Sequence, residues 1–146
     1  MGYLVVFPSV EVVLSADDAV LRATGLSAGK IATLRRVAEA IASGALSEAM
    51  LEARSSTDAE SLLRDIKGIG PWTAAVILLR GLGRLDVFPG NDSSVVANLS
   101  LVAGERLDPG PVVDTLGSQR GMLYFCLLLA RLEARGELGR ASDVAR

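Results

Sequence analysis

Few groups in this chain can do chemistry, and what is missing narrows the field first. Histidine is absent from the 146 residues, and Cys126 is the only cysteine. That excludes histidine-based nucleophile triads, histidine general bases and the commonest zinc sites. It also excludes an internal disulfide, an all-cysteine zinc site and a four-cysteine iron–sulfur cluster. Any chemistry must run on carboxylates, hydroxyls, amides and aromatic rings. No metal held by side chains and no cofactor is expected. The carboxylate that stands out is Asp92, which ends the segment Asp86-Val87-Phe88-Pro89-Gly90-Asn91-Asp92. A fixed carboxylate can stabilise positive charge as it develops, or orient an attacking water. Taken by itself before Ser93-Ser94-Val95-Val96, Asp92 reads first as an ordinary helix N-cap, and nothing about it alone demands catalysis.

A second signal is Leu63-Arg64-Asp65-Ile66-Lys67-Gly68-Ile69-Gly70-Pro71-Trp72-Thr73-Ala74. Gly68 and Gly70 flank one apolar residue between two helical patterns, and glycine permits positive φ and close backbone approach. Ile69 would plug the gap between the helices. The turn and the helix start would then present free N–H groups, which bind phosphate without positive side chains. Fifteen basic against seventeen acidic residues give a net charge of −2, so no global field draws the chain to nucleic acid. A backbone site is how such a chain would hold it. Taken alone, Gly-x-Gly is equally a plain tight turn. Trp72, the only tryptophan, reads as core when taken alone, and so do Tyr124 and Phe125.

Helices must position these groups. Ile31, Leu34, Val37, Ala38 and Ile41 share one face of a helix over Ser27–Ser43, with Lys30, Arg35, Arg36 and Glu39 falling away from it. A short helix over Ser47–Ala53 follows. Thr57-Asp58-Ala59-Glu60 has the capping-box pattern and predicts a helix from Thr57 to about Ile66. Pro71 suits the first turn of a helix reaching about Leu82. Asp92-Ser93-Ser94 predicts a cap for a helix through Val102. Pro109 or Pro111 starts a short helix ending at Gly117. Ser118–Arg135 is apolar almost all round and is expected to be the buried central element. Leu4–Phe7 is the one strand candidate, and the tail Glu137–Arg146 is polar.

With Pro71-Trp72-Thr73-Ala74 attached, the hairpin closely resembles the helix-hairpin-helix motif of the DNA glycosylase superfamily. Followed by Val-Phe-Pro-x-x-Asp, it resembles the C-terminal half of DNA-3-methyladenine glycosylase II. The resemblance implies an all-α, helix-hairpin-helix glycosylase-type domain over residues 1–136, with 137–146 as a tail. It implies a monofunctional base-excision repair enzyme that hydrolyses the N-glycosidic bond of alkylated purines such as 3-methyladenine. On that reading Asp92 is the catalytic carboxylate. Trp72 and Tyr124 line the base pocket, and Gly68, Ile69, Gly70 and Thr73 contact the DNA phosphate. The partner is double-stranded DNA carrying alkylated bases. Related bifunctional enzymes hold a Schiff-base lysine where Trp72 stands, so no strand-cutting step is expected.

In the family, earlier helices with a Gln-Gln-type motif precede this segment, and none is found here. The chain is therefore expected to be a fragment or half of a split domain. Alone it would be weakly active or inactive, with exposed apolar surface driving a dimer, a domain swap or aggregation. The runner-up is a non-catalytic helix-hairpin-helix DNA-binding module using Asp92 only as a cap. A third reading is an all-α interaction protein with an ordinary turn at Gly68–Gly70. An iron–sulfur relative is excluded by the cysteine count. The apolar runs Ala74–Leu79 and Met122–Ala130 are too short to span a membrane, and Met1–Pro8 lacks the basic start of a signal peptide. A cytoplasmic protein is expected, bacterial and nucleoid-associated.

Overall fold

The computed structural model describes residues 7–90 and 93–138, and among these every regular element is helical. Asp92, most of the strand candidate Leu4–Phe7 and the end of the tail lie outside the described residues. The chain divides into two units, Met1–Gly70 and Pro71–Arg146.

In the first unit, α1 (Val10–Ser15) and α2 (Asp18–Ala23) pack on α3 (Ala28–Ala42), and α4 (Glu48–Glu52) packs on α5 (Ser56–Arg64). Ser27 caps α3 as its position suggests, accepting from Lys30 N–H at 3.4 Å. Ile31 and Ala38 are buried, whereas Ile41 remains exposed. The start of α5 differs from the capping-box expectation. Ser55, not Thr57, is the N-cap: its hydroxyl accepts from Asp58 N–H at 3.1 Å and donates to the Asp58 carboxylate at 2.6 Å. Two overlapping Ser/Thr-x-x-acid patterns compete here, and the earlier one adds helical residues before Ala59 and Leu63, both fully buried.

Arg35 corrects a second expectation. Its guanidinium is turned inward rather than to solvent. It donates to the carbonyls of Val13 at 3.3 Å, Leu14 at 3.0 Å and Ala16 at 2.6 Å, and to the Asp18 carboxylate at 2.7 Å. The last carbonyls of α1 have no partners within their own helix. One planar cation satisfies several of them and ties in the first residue of α2 as well.

In the second unit, α6 (Pro71–Val76) runs directly into a π-wound turn over Ile77–Gly81. Next come α7 (Ser93–Ala103), α8 (Pro109–Leu116), a 3₁₀ turn over Gly117–Gln119 and α9 (Arg120–Ala134). Helices α7, α8 and α9 pack on one another around Val95, Leu99 and Leu127. The expectation that α9 is the buried central element is not met. Only Gly121 and Leu127 of α9 are buried, while Met122 and Leu129 are 46% and 52% exposed. The more buried stretch is the one after the hairpin, where Ala74, Ala75, Leu78 and Leu79 are all enclosed. Apolar content alone does not separate the two helices.

Candidate functional site

The hairpin turn is built on α3. Gly68 has φ +105°, in the left-handed region where a β-carbon is disfavoured. A β-carbon there would also collide with Thr33 Oγ1 and stand 3.0 Å from Thr33 Cβ and Cγ2. Thr33 is fixed in turn, donating to Gly29 O at 3.0 Å. One turn further along α3, Arg36 Nη1 donates to Lys67 O at 3.0 Å. Gly29, Thr33 and Arg36 stand at i, i+4 and i+7, which puts them on one stripe of the helix. Two of them cradle the turn directly, and Gly29 holds Thr33. Ile69 is buried, and its N–H donates to Ile66 O at 3.0 Å.

Gly70 differs from Gly68. Its φ is not positive, and a β-carbon on it would meet nothing within 4 Å. Among the described residues, the N–H groups of Gly68 and Gly70 donate to no acceptor. Such a pair of unpaired amides is an anion-accepting arrangement.

Pro71 then opens α6, where its missing N–H costs no helical hydrogen bond. Trp72 is 43% exposed, so the core reading of this residue fails. Thr73 is half-buried beside it.

The segment leading to Asp92 is firmly held as far as the structure describes it. Val87 N–H donates to Arg84 O at 3.2 Å, and Gly90 N–H donates to Phe88 O at 2.8 Å. Pro89 is fully buried, and Val87 nearly so. From the other side, Gly121 N–H of α9 donates to Leu85 O at 2.7 Å. Helix α7 begins at Ser93, immediately after Asp92 in the sequence.

Tyr124 and Phe125 meet edge to face, ring centroids 5.7 Å apart. Tyr124 also lines a small cleft between α7 and α9, with Asn98 and Arg131, and Trp72 is not among the lining residues. At about 120 Å³ this cleft is well below the roughly 300 Å³ of ordinary small-molecule sites. By itself it holds no purine. Among the described residues no three His, Cys, Asp or Glu side chains gather as metal ligands, and no helix is long and apolar enough to cross a membrane.

Sequence reasoning missed Thr33 and Arg36. Both lie far from the hairpin in sequence and break no helical pattern. The stripe Gly29, Thr33, Arg36 was a signal only in that small and polar residues repeat at helical spacing beside an apolar face.

No protein-family model matches the chain. DNA-3-methyladenine glycosylase 1 of Schizosaccharomyces pombe is 39% identical over 90 residues, covering 61% of this chain and 40% of that protein. DNA-3-methyladenine glycosylase of Bacillus subtilis is 31% identical over 104 residues, covering 71% of this chain and 34% of the other. Among solved structures, S. pombe 3-methyladenine DNA glycosylase in complex with abasic DNA superposes with TM-score 0.72 at 28% identity, covering 86% of this chain and 65% of that one. MBOgg1 in complex with a low-affinity DNA ligand also superposes with TM-score 0.72, at 22% identity, and shares the fold. The matched region thus spans about two fifths or less of these two curated relatives.

Proposed function

The chain belongs to the helix-hairpin-helix DNA glycosylase superfamily, and we propose that within it the protein is a monofunctional glycosylase removing alkylated purines from duplex DNA. The observation that carries the reading is the exposed Trp72, set in the first turn of α6 directly after a turn with unpaired amides. A core tryptophan would be enclosed. An indole exposed at this point of the sequence supports a role with a flipped, electron-poor base.

The turn at Gly68–Gly70 holds a DNA phosphate through backbone N–H groups, with Ile69 and Thr73 as further contacts to it. The alkylated purine leaves the stack and lies on Trp72, with Tyr124 as a further wall. As the N-glycosidic bond breaks, its electron pair goes to the base and positive charge builds on the sugar. The Asp92 carboxylate stabilises that charge and orients the water that adds to C1′, taking up the water's proton. An alkylated purine is a good leaving group, so no strong general acid is required. Nothing in this scheme calls for histidine, a metal or a cofactor.

Double-stranded DNA with alkylated bases is the partner proposed. Leu101, Val102, Met122 and Leu129 remain exposed, which supports self-association as well. Sedimentation over a range of concentrations tests that point, and a monomer throughout ends it.

The deciding experiment is release of free base from methylated duplex DNA, with Asp92→Asn alongside. Asparagine is still a good N-cap, so the variant should fold and bind DNA while losing release. Retained release would leave Asp92 a cap only. Binding without release by the unchanged chain would leave a DNA-binding module.

A further inference from the structure

The guanidinium of Arg36 is aimed at a backbone carbonyl and not at a carboxylate. Its Nη1 donates to Lys67 O at 3.0 Å, and among the described residues it has no ion-pair partner and no second acceptor. Arg35, next to it in the sequence, differs in having the Asp18 carboxylate at 2.7 Å. Lys67 O accepts from no other donor among the described residues. A cation whose charge no carboxylate neutralises is thus joined to one carbonyl of the hairpin turn.

That carbonyl shares its peptide unit with the N–H of Gly68. The bond is trans, so its C=O and N–H point to opposite sides of one conjugated plane. Arg36 holds the oxygen end. The other end is the Gly68 N–H, which donates to no acceptor and belongs to a residue exposed to solvent. A donor on the oxygen draws electron density from the nitrogen through the resonance that keeps the unit planar, and so strengthens the N–H as a donor. Hydrogen bonds in a chain reinforce one another by roughly 10–30% each, and a charged donor acts about twice as strongly as a neutral one. The unit is also held still. Thr33 fills the space beside the Gly68 Cα, and Ile69 N–H closes the turn on Ile66 O at 3.0 Å.

We propose that Arg36 is a positioning residue for the DNA phosphate: by donating from a charged guanidinium to Lys67 O it orients and polarises the Lys67–Gly68 peptide, and so makes Gly68 N–H a stronger donor to phosphate without touching the DNA itself. The inference rests on the reading of this turn as the phosphate-holding element. It gives a backbone site, in a chain of net charge −2, the benefit of one cation placed behind it.

The test compares Arg36→Gln, Arg36→Lys and, as a charge control on the same helix, Lys30→Gln. Exchange of the Gly68 amide is measured by NMR in the free protein. An exposed, unpaired amide exchanges by base catalysis at neutral pH, so its rate follows the acidity of the N–H. Arg36→Gln keeps a neutral donor and loses the charge, and should slow this exchange roughly two- to fivefold. The sign separates the proposal from a merely structural tie, whose loss would quicken exchange or leave it alone. Lys30→Gln should leave it alone. In fluorescence anisotropy on undamaged duplex DNA, Arg36→Gln should bind roughly 3- to 10-fold more weakly. Arg36→Lys retains a charged donor without the planar fork, and should stand between the parent and Arg36→Gln in both measurements.

Unchanged or faster Gly68 exchange in Arg36→Gln overturns the proposal, whatever happens to DNA binding. An Arg36→Lys protein no better than Arg36→Gln overturns it as well, because the charge is then not the cause. Slower exchange with unchanged affinity also overturns it, and Gly70→Ala then shows how far the failure reaches. Weakened binding in Gly70→Ala ends the proposal alone, whereas unchanged binding there ends the phosphate reading of the turn with it.

Discussion

The side chain of Thr33 occupies the space that a β-carbon on Gly68 would need. That relationship joins the middle of α3 to the hairpin and explains why the two hairpin glycines are not equivalent. Gly68 answers to a positive φ and to Thr33 at once, whereas Gly70 answers to neither. What Gly70 offers is an amide without an acceptor among the described residues.

The two glycines should therefore fail in different ways. Gly68→Ala combines left-handed strain with a steric clash and should cost about 1–3 kcal/mol of stability, read as a lowered thermal midpoint. Gly70→Ala keeps the amide and meets no neighbour, so it should melt with the unchanged chain. Its methyl group would stand in open space that a bound phosphate would fill, so it should bind duplex DNA more weakly, by a similar factor on every undamaged sequence, because phosphate contacts carry no sequence information. Fluorescence anisotropy on several duplexes measures this. Unchanged affinity in Gly70→Ala would remove the phosphate role from the turn.

Arg35 should be among the most sensitive positions of the first unit. Its guanidinium serves the carbonyls of Val13, Leu14 and Ala16 and the carboxylate of Asp18, with a quarter of the side chain still exposed. Arg35→Ala leaves those partners to water and should cost about 2–4 kcal/mol. Lysine cannot reproduce the planar fork, so Arg35→Lys should recover less than half of the loss. Hydrogen exchange should show α1 and α2 opening before α3. A variant as stable as the parent would mean that the packing of α1 on α3 suffices without the guanidinium.

These residues also show what the sequence carried and what it did not. The helices from α3 onward, the hairpin and the helix start after Asp92 were legible, because each has an apolar period, a cap or a glycine stop. Helices α1 and α2 were not, since six residues are too few to display a period. Arg35, whose guanidinium joins them, is distant in sequence. Gly121 gave no local sign either. It sits inside an apolar helix, and its reason lies in the carbonyls of Leu85 and Val87. Local pattern reveals an element, whereas a close approach between elements shows only once both are placed.

Trp72 should matter more to substrate than to fold. At 43% exposure it has less buried surface to lose than a core aromatic. Stacking and cation–π attraction on an indole are worth about 1–2 kcal/mol, so Trp72→Ala should weaken handling of a positively charged purine roughly 5- to 30-fold. Trp72→Phe should fall between the two. A neutral purine lesion, which lacks the cation–π part, should be less sensitive to both changes. Equal losses on charged and neutral bases would reduce Trp72 to a packing surface.

The residue at this position also decides what happens after the base has gone. A lyase step needs an amine that attacks the sugar carbonyl form and holds the strand as a Schiff base while the phosphate leaves. Lys30 and Lys67 are the only lysines in the chain. Lys67 lies in the turn itself, with its carbonyl held by Arg36, and Lys30 lies in the first turn of α3. Neither stands where Trp72 stands. Borohydride added during turnover should therefore trap no covalent protein–DNA complex. The product strand should stay intact until alkali cleaves it at the abasic site. A trapped complex that disappears in Lys67→Arg would show that the turn lysine takes the amine role from a neighbouring position, and the hydrolytic reading would give way to a bifunctional one.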